Sequence, residues 1–203
     1  MSINVCNNRS MASITALPSG VSAGTLVLIA STTASDSASI SFTSGLDSTY
    51  KCYIFKFISM DPATNNARLT FNLSIDGGSN YNVTKTTSFF DAYHGENGAG
   101  GVLRYVTAGD LAQSTSDQRV TDQVGNTDGA GAAMMSLFDP SNTTFVKHFL
   151  GVAQSANGDT SPTFTINNHF AGYANTTSAL TNIIFRMDSG NIANGKILMF
   201  GLN

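Results

Sequence analysis

Residues 67–81 read ARLTFNLSIDGGSNY, and how they are read decides the fold. Leu69, Phe71, Leu73 and Ile75 alternate with Arg68, Thr70, Asn72 and Ser74. That period of two is the signature of a strand with one buried face. The first set is expected to point inward and the second toward solvent. Asp76-Gly77-Gly78 then interrupts the pattern, and YNVTKTTSFFDAY at 81–93 resumes it. Asp-Gly between two alternating runs predicts a hairpin, because a type I′ turn needs φ > 0 at both central positions. The Asp76 carboxylate is placed to bond nearby backbone amides, with Tyr81 covering the base of the turn.

The same grammar recurs along the chain. DSASISF sets Ala38, Ile40 and Phe42 on one face, and YKCYIFKFISM at 50–60 is apolar on both faces. In the latter, Tyr53, Phe55 and Phe57 oppose Cys52, Ile54 and Ile58, so this strand is expected to be central or covered by a partner subunit. Further strand patterns occupy 24–30, 133–138, 143–152, 163–173, 181–187 and 195–202. The predicted fold is all-β: a single antiparallel β-sandwich of nine or ten strands with jelly-roll character. Residues 1–23 read as an N-terminal arm and 24–203 as the sandwich domain. The glycine-rich middle, 94–132, reads as long loops facing a partner, with one short helical turn in GDLAQSTSDQ at 109–118.

Composition points the same way. Charged residues make up 11% of the chain against roughly 25% in ordinary soluble domains. Ser, Thr and Asn together supply about a third of it. Glu96 is the only glutamate, so strong helix formers are scarce while β-branched and aromatic residues abound. With net charge −3 and no basic cluster, the electrostatic footprint of a nucleic-acid binder is missing. The longest apolar run, 24–30, is too short for a bilayer span, and Pro18 and Gly20 interrupt any signal-peptide pattern. Production in a cytoplasm, without membrane insertion, is the expectation. Cys52 reads as a small core residue, and a Cys6–Cys52 disulfide is allowed but not required.

Candidate sites are few. SIDGGSNY fits S-x-D-x-G-x-x-aromatic and resembles the Asp-box hairpin of sialidases. One box, no tryptophan and scattered arginines do not support that activity, and a calcium loop would want further acidic ligands near Asp76. The expected role of the motif is a turn. Asp91, His94 and Glu96 form the one His–carboxylate cluster, which a metal would complete only with a further ligand such as His148 or His169. The plainer reading is a polar strand end entering a glycine loop, with His148 and His169 facing solvent or a subunit contact. No nucleophile elbow, phosphate loop or carboxylate pair appears, so neither an enzyme nor a bound cofactor is expected. Tyr93, His94, Glu96 and Tyr105 are candidate loop contacts, and Tyr93, Tyr105 and Tyr173 could offer aromatic platforms to a glycan. The sequons at Asn72, Asn82, Asn142 and Asn175 matter only in a eukaryotic secretory pathway.

Several blocks taken together carry a resemblance. SASISFTSGLDSTY (37–50), the strand pair running from YKCYIFKF into PATNNARLTF, and SIDGGSNYN (74–82) are similar to a group of marine bacteriophage virion proteins of cyanophage and pelagiphage type. FDPSNTTFVKHF (138–149), AGYANTTSALTNIIFRMDSGNI (171–192) and GKILMFGLN (195–203) extend the resemblance over nearly the whole chain from about residue 11. It departs mainly in the glycine-rich middle. The resemblance implies a structural or tail-fibre-like role and no particular functional residues. A non-enzymatic virion protein on the particle exterior is therefore expected, either capsid decoration, head fibre or tail fibre. It would self-associate, plausibly as a trimer, and contact other capsid or tail proteins. The alternative is an adhesin whose loops at 94–101 and 125–132 bind host surface glycans.

Overall fold

In the computed structural model, residues 26–158 and 163–202 are described, and every regular element within them is a strand. In chain order these are β1 (Leu26–Ser37), β2 (Ile40–Phe42), β3 (Cys52–Pro62), β4 (Leu69–Ser74), β5 (Lys85–Gly95) and β6 (Val102–Tyr105). They continue as β7 (Gln118–Arg119), β8 (Gly131–Phe138), β9 (Lys147–Ala156), β10 (Phe164–Ala174), β11 (Asn182–Met187) and β12 (Ile192–Leu202). The described residues thus hold twelve strands rather than nine or ten. The additional ones, such as β6 and β7, are too short for alternation to announce them. The expected arm at 1–23, with Cys6, lies outside the described residues.

Two sheets form, with every pairing antiparallel. The large sheet runs β1-β12-β3-β8-β9-β10-β5-β6 and the small one β2-β11-β4-β7. They pack face to face as a β-sandwich, as expected; the unequal strand order does not by itself establish jelly-roll connectivity. Between them lies an aromatic core. The Phe185 ring of β11 sits 4.9 Å from Phe57 and 5.3 Å from Phe55, and Phe71 of β4 meets Phe149 edge-on at 5.1 Å. Such edge-to-face contacts add to the burial of large apolar area. At Gly151 on β9 the Phe170 ring occupies the space a Cβ would need, so only glycine fits there.

Strand β4 departs from its expected one-sided burial. Leu69, Phe71 and Leu73 are fully buried, but Thr70, Asn72 and Ser74 are buried as well, and Ile75 is exposed. The polar side is met by residues 115–122, which supply acceptors and donors of their own. Asn72 Nδ2 donates to Thr115 O, Leu69 N donates to Thr121 Oγ1, and Val120 N donates to Leu69 O. The middle segment therefore packs on its own chain over this stretch. No helical turn forms at 109–118, which runs as turns into β7.

The expected hairpin at 74–81 is also corrected. β4 belongs to the small sheet and β5 to the large one, so residues 75–84 cross between sheets instead of joining paired neighbours. The carboxylate bonding is as read, but the two left-handed positions are Gly77 and Gly78, one residue on from the Asp76-Gly77 pair a type I′ turn would use. Gly77 and Gly78 take φ of 72° and 87°, the left-handed region that glycine enters without a Cβ clash. Asp76 Oδ1 accepts from Ser74 Oγ at 2.7 Å and from Asn80 N at 2.9 Å, while Asn80 Nδ2 donates to Oδ2. At the β1–β2 corner Ala38 is exposed, leaving Ile40 and Phe42 to face the core.

Candidate functional site

The small sheet covers the large one on one side only. On the opposite side, one rung of aligned residues crosses all eight strands: Ser31, Leu198, Lys56, Met134, Val152, His169, Phe90 and Tyr105. Met134, Val152, Phe90 and Tyr105 are exposed there, as are Ile58, Leu150 and Leu103 on flanking rungs. Alternation puts Tyr53, Phe55 and Phe57 inward and turns Cys52, Ile54 and Lys56 outward. Cys52 is therefore half-exposed on this outer face, not a core residue, and the burial it retains raises its thiol pKa.

The strand residues of this rung and its neighbours include no carboxylate, and Lys56 and Lys196 stand among neutral residues; Asp110 meets the rung only at its β6 edge, through Tyr105. All three histidines lie on it. His169 stacks on Phe90 with ring centres 4.8 Å apart, and His148 meets the Tyr173 ring at 6.1 Å. His94 is exposed near the end of β5. A shallow groove of about 350 Å³ runs between Lys56, Met134, Val152 and Asn167.

The His–carboxylate cluster separates. Asp91 points inward and is fully buried, paired with the Arg104 guanidinium through contacts of 2.8 and 2.9 Å. His94 points outward, and Glu96 begins the turn after β5. No group of three metal-ligating side chains comes together among the described residues. The strand-end reading of 91–97 matches this arrangement. Tyr93 is half-buried between Phe164 and Arg104, whereas Tyr105 lies on the outer face with its hydroxyl donating to Asp110. Tyr93, Arg104, Gln123, Asn157, Phe164 and Ile166 surround a small recess of about 210 Å³ at one end of the sandwich. No protein-family model, curated protein or solved structure matches this chain.

Two polar networks were not anticipated. Arg104 also reaches Asp122, which pairs with Arg68, which in turn holds Asp188. The second network centres on Lys85, whose side chain is wholly buried. Its Nζ donates to Asn72 Oδ1 at 2.6 Å and to Val83 O at 2.8 Å. Asn72 Nδ2 donates to Asp117 Oδ1 at 2.9 Å, and Arg186 grips both oxygens of Asp117. Burial draws the Lys85 pKa down to about 8, against the opposing pull of Asp117. Burial pushes Asp117 up, but its bonds from Arg186 and Asn72 outweigh that and leave it lowered. The signal for an inward Lys85 was present in the sequence, since Val83, Lys85, Thr87 and Phe89 share one parity.

Proposed function

We propose that this chain is a non-enzymatic structural subunit of a bacteriophage particle, which packs against a second copy of itself through the outer face of its large sheet. The observation that carries the reading is that face: eight strands wide, studded with exposed Met134, Leu150, Val152 and Phe90, and free of carboxylates along its central rungs. Monomeric proteins rarely leave a contiguous apolar patch of this kind bare. The resemblance of several sequence blocks to marine phage virion proteins suggests the particle, and the assembly read from it is a closed homo-oligomer, for which a trimer is one form. Its place is the particle exterior, as capsid decoration, head fibre or tail fibre, beside other capsid or tail proteins.

Quantitative mass spectrometry of purified particles tests this. Detection at a fixed stoichiometry is expected, with hundreds of copies for a decoration protein and a few to tens for a fibre, as order-of-magnitude values set by closed symmetry. Particles lacking the chain would overturn the proposal. A second reading, a glycan-binding adhesin, is favoured by one observation: the recess where Arg104 lies over Tyr93, beside Gln123 and Asn157. Aromatic and amide groups together suit a sugar. Protein that binds host cells and competes with infection, and that loses both on Tyr93→Ala, would support it; no binding at saturating protein would reject it.

A further inference from the structure

We propose that Lys85 and Asn72 react with each other, forming a side-chain amide that ties β5 of the large sheet to β4 of the small one and releases ammonia. The inference stands on the second buried network and is independent of the particle assignment. Lys85 Nζ lies 2.6 Å from Asn72 Oδ1. A carbonyl bond is about 1.23 Å long, so the Cγ carbon is within about 3.8 Å of the amine whatever the bond's direction. Reacting atoms held at roughly this separation are close to the distance from which attack begins.

The surroundings match what the reaction needs. Leu73 N donates to Asn72 Oδ1 at 2.9 Å, a fixed backbone donor on the atom where negative charge develops. Asn72 Nδ2 donates to Thr115 O and to Asp117 Oδ1, each at 2.9 Å, which fixes the orientation of the amide and sets a carboxylate beside the leaving nitrogen. Arg186 holds that carboxylate through contacts of 2.6 and 2.9 Å. The lysine must enter as the free amine. With burial lowering it to about 8, roughly a tenth of molecules carry that form at neutral pH.

The step balances within these groups. After the ammonium has lost its extra proton to solvent, the Nζ lone pair adds to Cγ and the carbonyl pair moves onto Oδ1. The proton that Nζ then carries in excess moves to Nδ2, which its hydrogen bond to Asp117 Oδ1 holds in place. The pair on Oδ1 re-forms the carbonyl, the Cγ–Nδ2 bond breaks, and the nitrogen leaves as ammonia with that bond's electrons. No oxidant or co-reactant enters. Lys147 provides an internal contrast. It faces Ala174 from the opposite side to Lys85 on the same rung and is equally buried, but its Nζ donates to the backbone carbonyl of Thr176. A backbone carbonyl offers no ammonia to lose, and Lys147 stays an amine.

Intact-mass measurement on the folded full-length protein, fresh and after prolonged incubation, tests the proposal. The expected result is a chain lighter than its sequence by one ammonia. Trypsin then fails to cleave after Lys85, and a peptide covering 69–104 appears, also short of one ammonia. Cyclisation of Asn72 onto its own backbone would give the same mass but leave cleavage at Lys85 intact, and would overturn the proposal. A wild-type mass equal to the sequence after incubation would overturn it as well. Lys85→Arg is expected to restore the sequence mass. Asp117→Ala, wherever circular dichroism shows an unchanged fold, is expected to slow or stop the ammonia loss; an unchanged rate would remove Asp117 from the mechanism.

Discussion

Asp76 condenses the turn at 74–80 into one carboxylate. Its bonds from Ser74 and Asn80, in that order of effect, draw its pKa from 3.8 to about 2. A carboxyl whose folded pKa lies below its unfolded value contributes stability above the unfolded pKa, and loses it as pH falls through the folded one. Stability measured by denaturant titration is therefore expected to fall between about pH 4 and pH 2 in the wild type, with that part of the slope missing in Asp76→Ala. Asp91 poses the opposite case, an inward carboxylate whose charge is met by Arg104. Asp91→Ala leaves the Arg104 guanidinium, 44% exposed and still bonded to Asp122, open to water on one side, so the expected cost is about 1–2 kcal/mol, below that of a fully buried pair. Urea unfolding checks this, and a loss above about 3 kcal/mol would mean that water does not take the place of the lost carboxylate.

At the scale of elements, β4 separates what a sequence can state from what it cannot. Its alternation named Leu69, Phe71 and Leu73 as core, and they are. The same alternation sent Thr70, Asn72 and Ser74 to solvent, because a period of two reports polarity and not what lies opposite. The partners of Thr70 and Asn72, namely Thr115, Asp117 and Arg186, come from more than forty residues away in the chain, whereas Ser74 bonds Asp76 within its own turn. For the same reason Asp76-Gly77 announced a reversal of direction without saying whether the next strand joins the same sheet. Tyr93 and Tyr105 were named together as candidate contacts, yet their separation onto inner and outer sides depended on how β6 pairs with β5. Parity marked Phe71 as inward, whereas Phe90 on β5 faces outward, and that difference is measurable. Phe71→Ala empties a site ringed by Phe149, Phe170 and Phe185 and is expected to cost about 3–5 kcal/mol. Phe90→Ala, on the open face, is expected to stay within about 1 kcal/mol in the dissociated chain. Parallel chemical denaturation of both variants distinguishes them.

For the molecule as a whole, the imbalance between an eight-stranded sheet and a four-stranded one governs behaviour. The small sheet, joined by residues 106–125 over β5 and β10, closes the inner face of the large sheet, while its outer face stays open. Three of the four sheet edges are short, since β6 spans four residues, β2 three and β7 two, which discourages strand-to-strand addition there, while β1 is a long edge of twelve residues. Away from the β1 edge, association is left to the open face. Leu150 lies at its middle, aligned with Ser136 on β8 and Ala171 on β10, both small enough to leave room for a different side chain. Leu150→Glu adds a carboxylate to a region that has none, and its water-facing position makes the change nearly neutral for the isolated chain, within about 0.5 kcal/mol. Buried in a subunit contact the same carboxylate would be unpaired, and such a charge is strongly disfavoured. Sedimentation velocity should therefore show wild-type oligomer becoming monomer in Leu150→Glu, with the unfolding midpoint of the monomer unchanged. Oligomers that persist in this variant would place the contact elsewhere, and a wild type that is monomeric at every concentration would leave the open face without the second copy that its composition calls for.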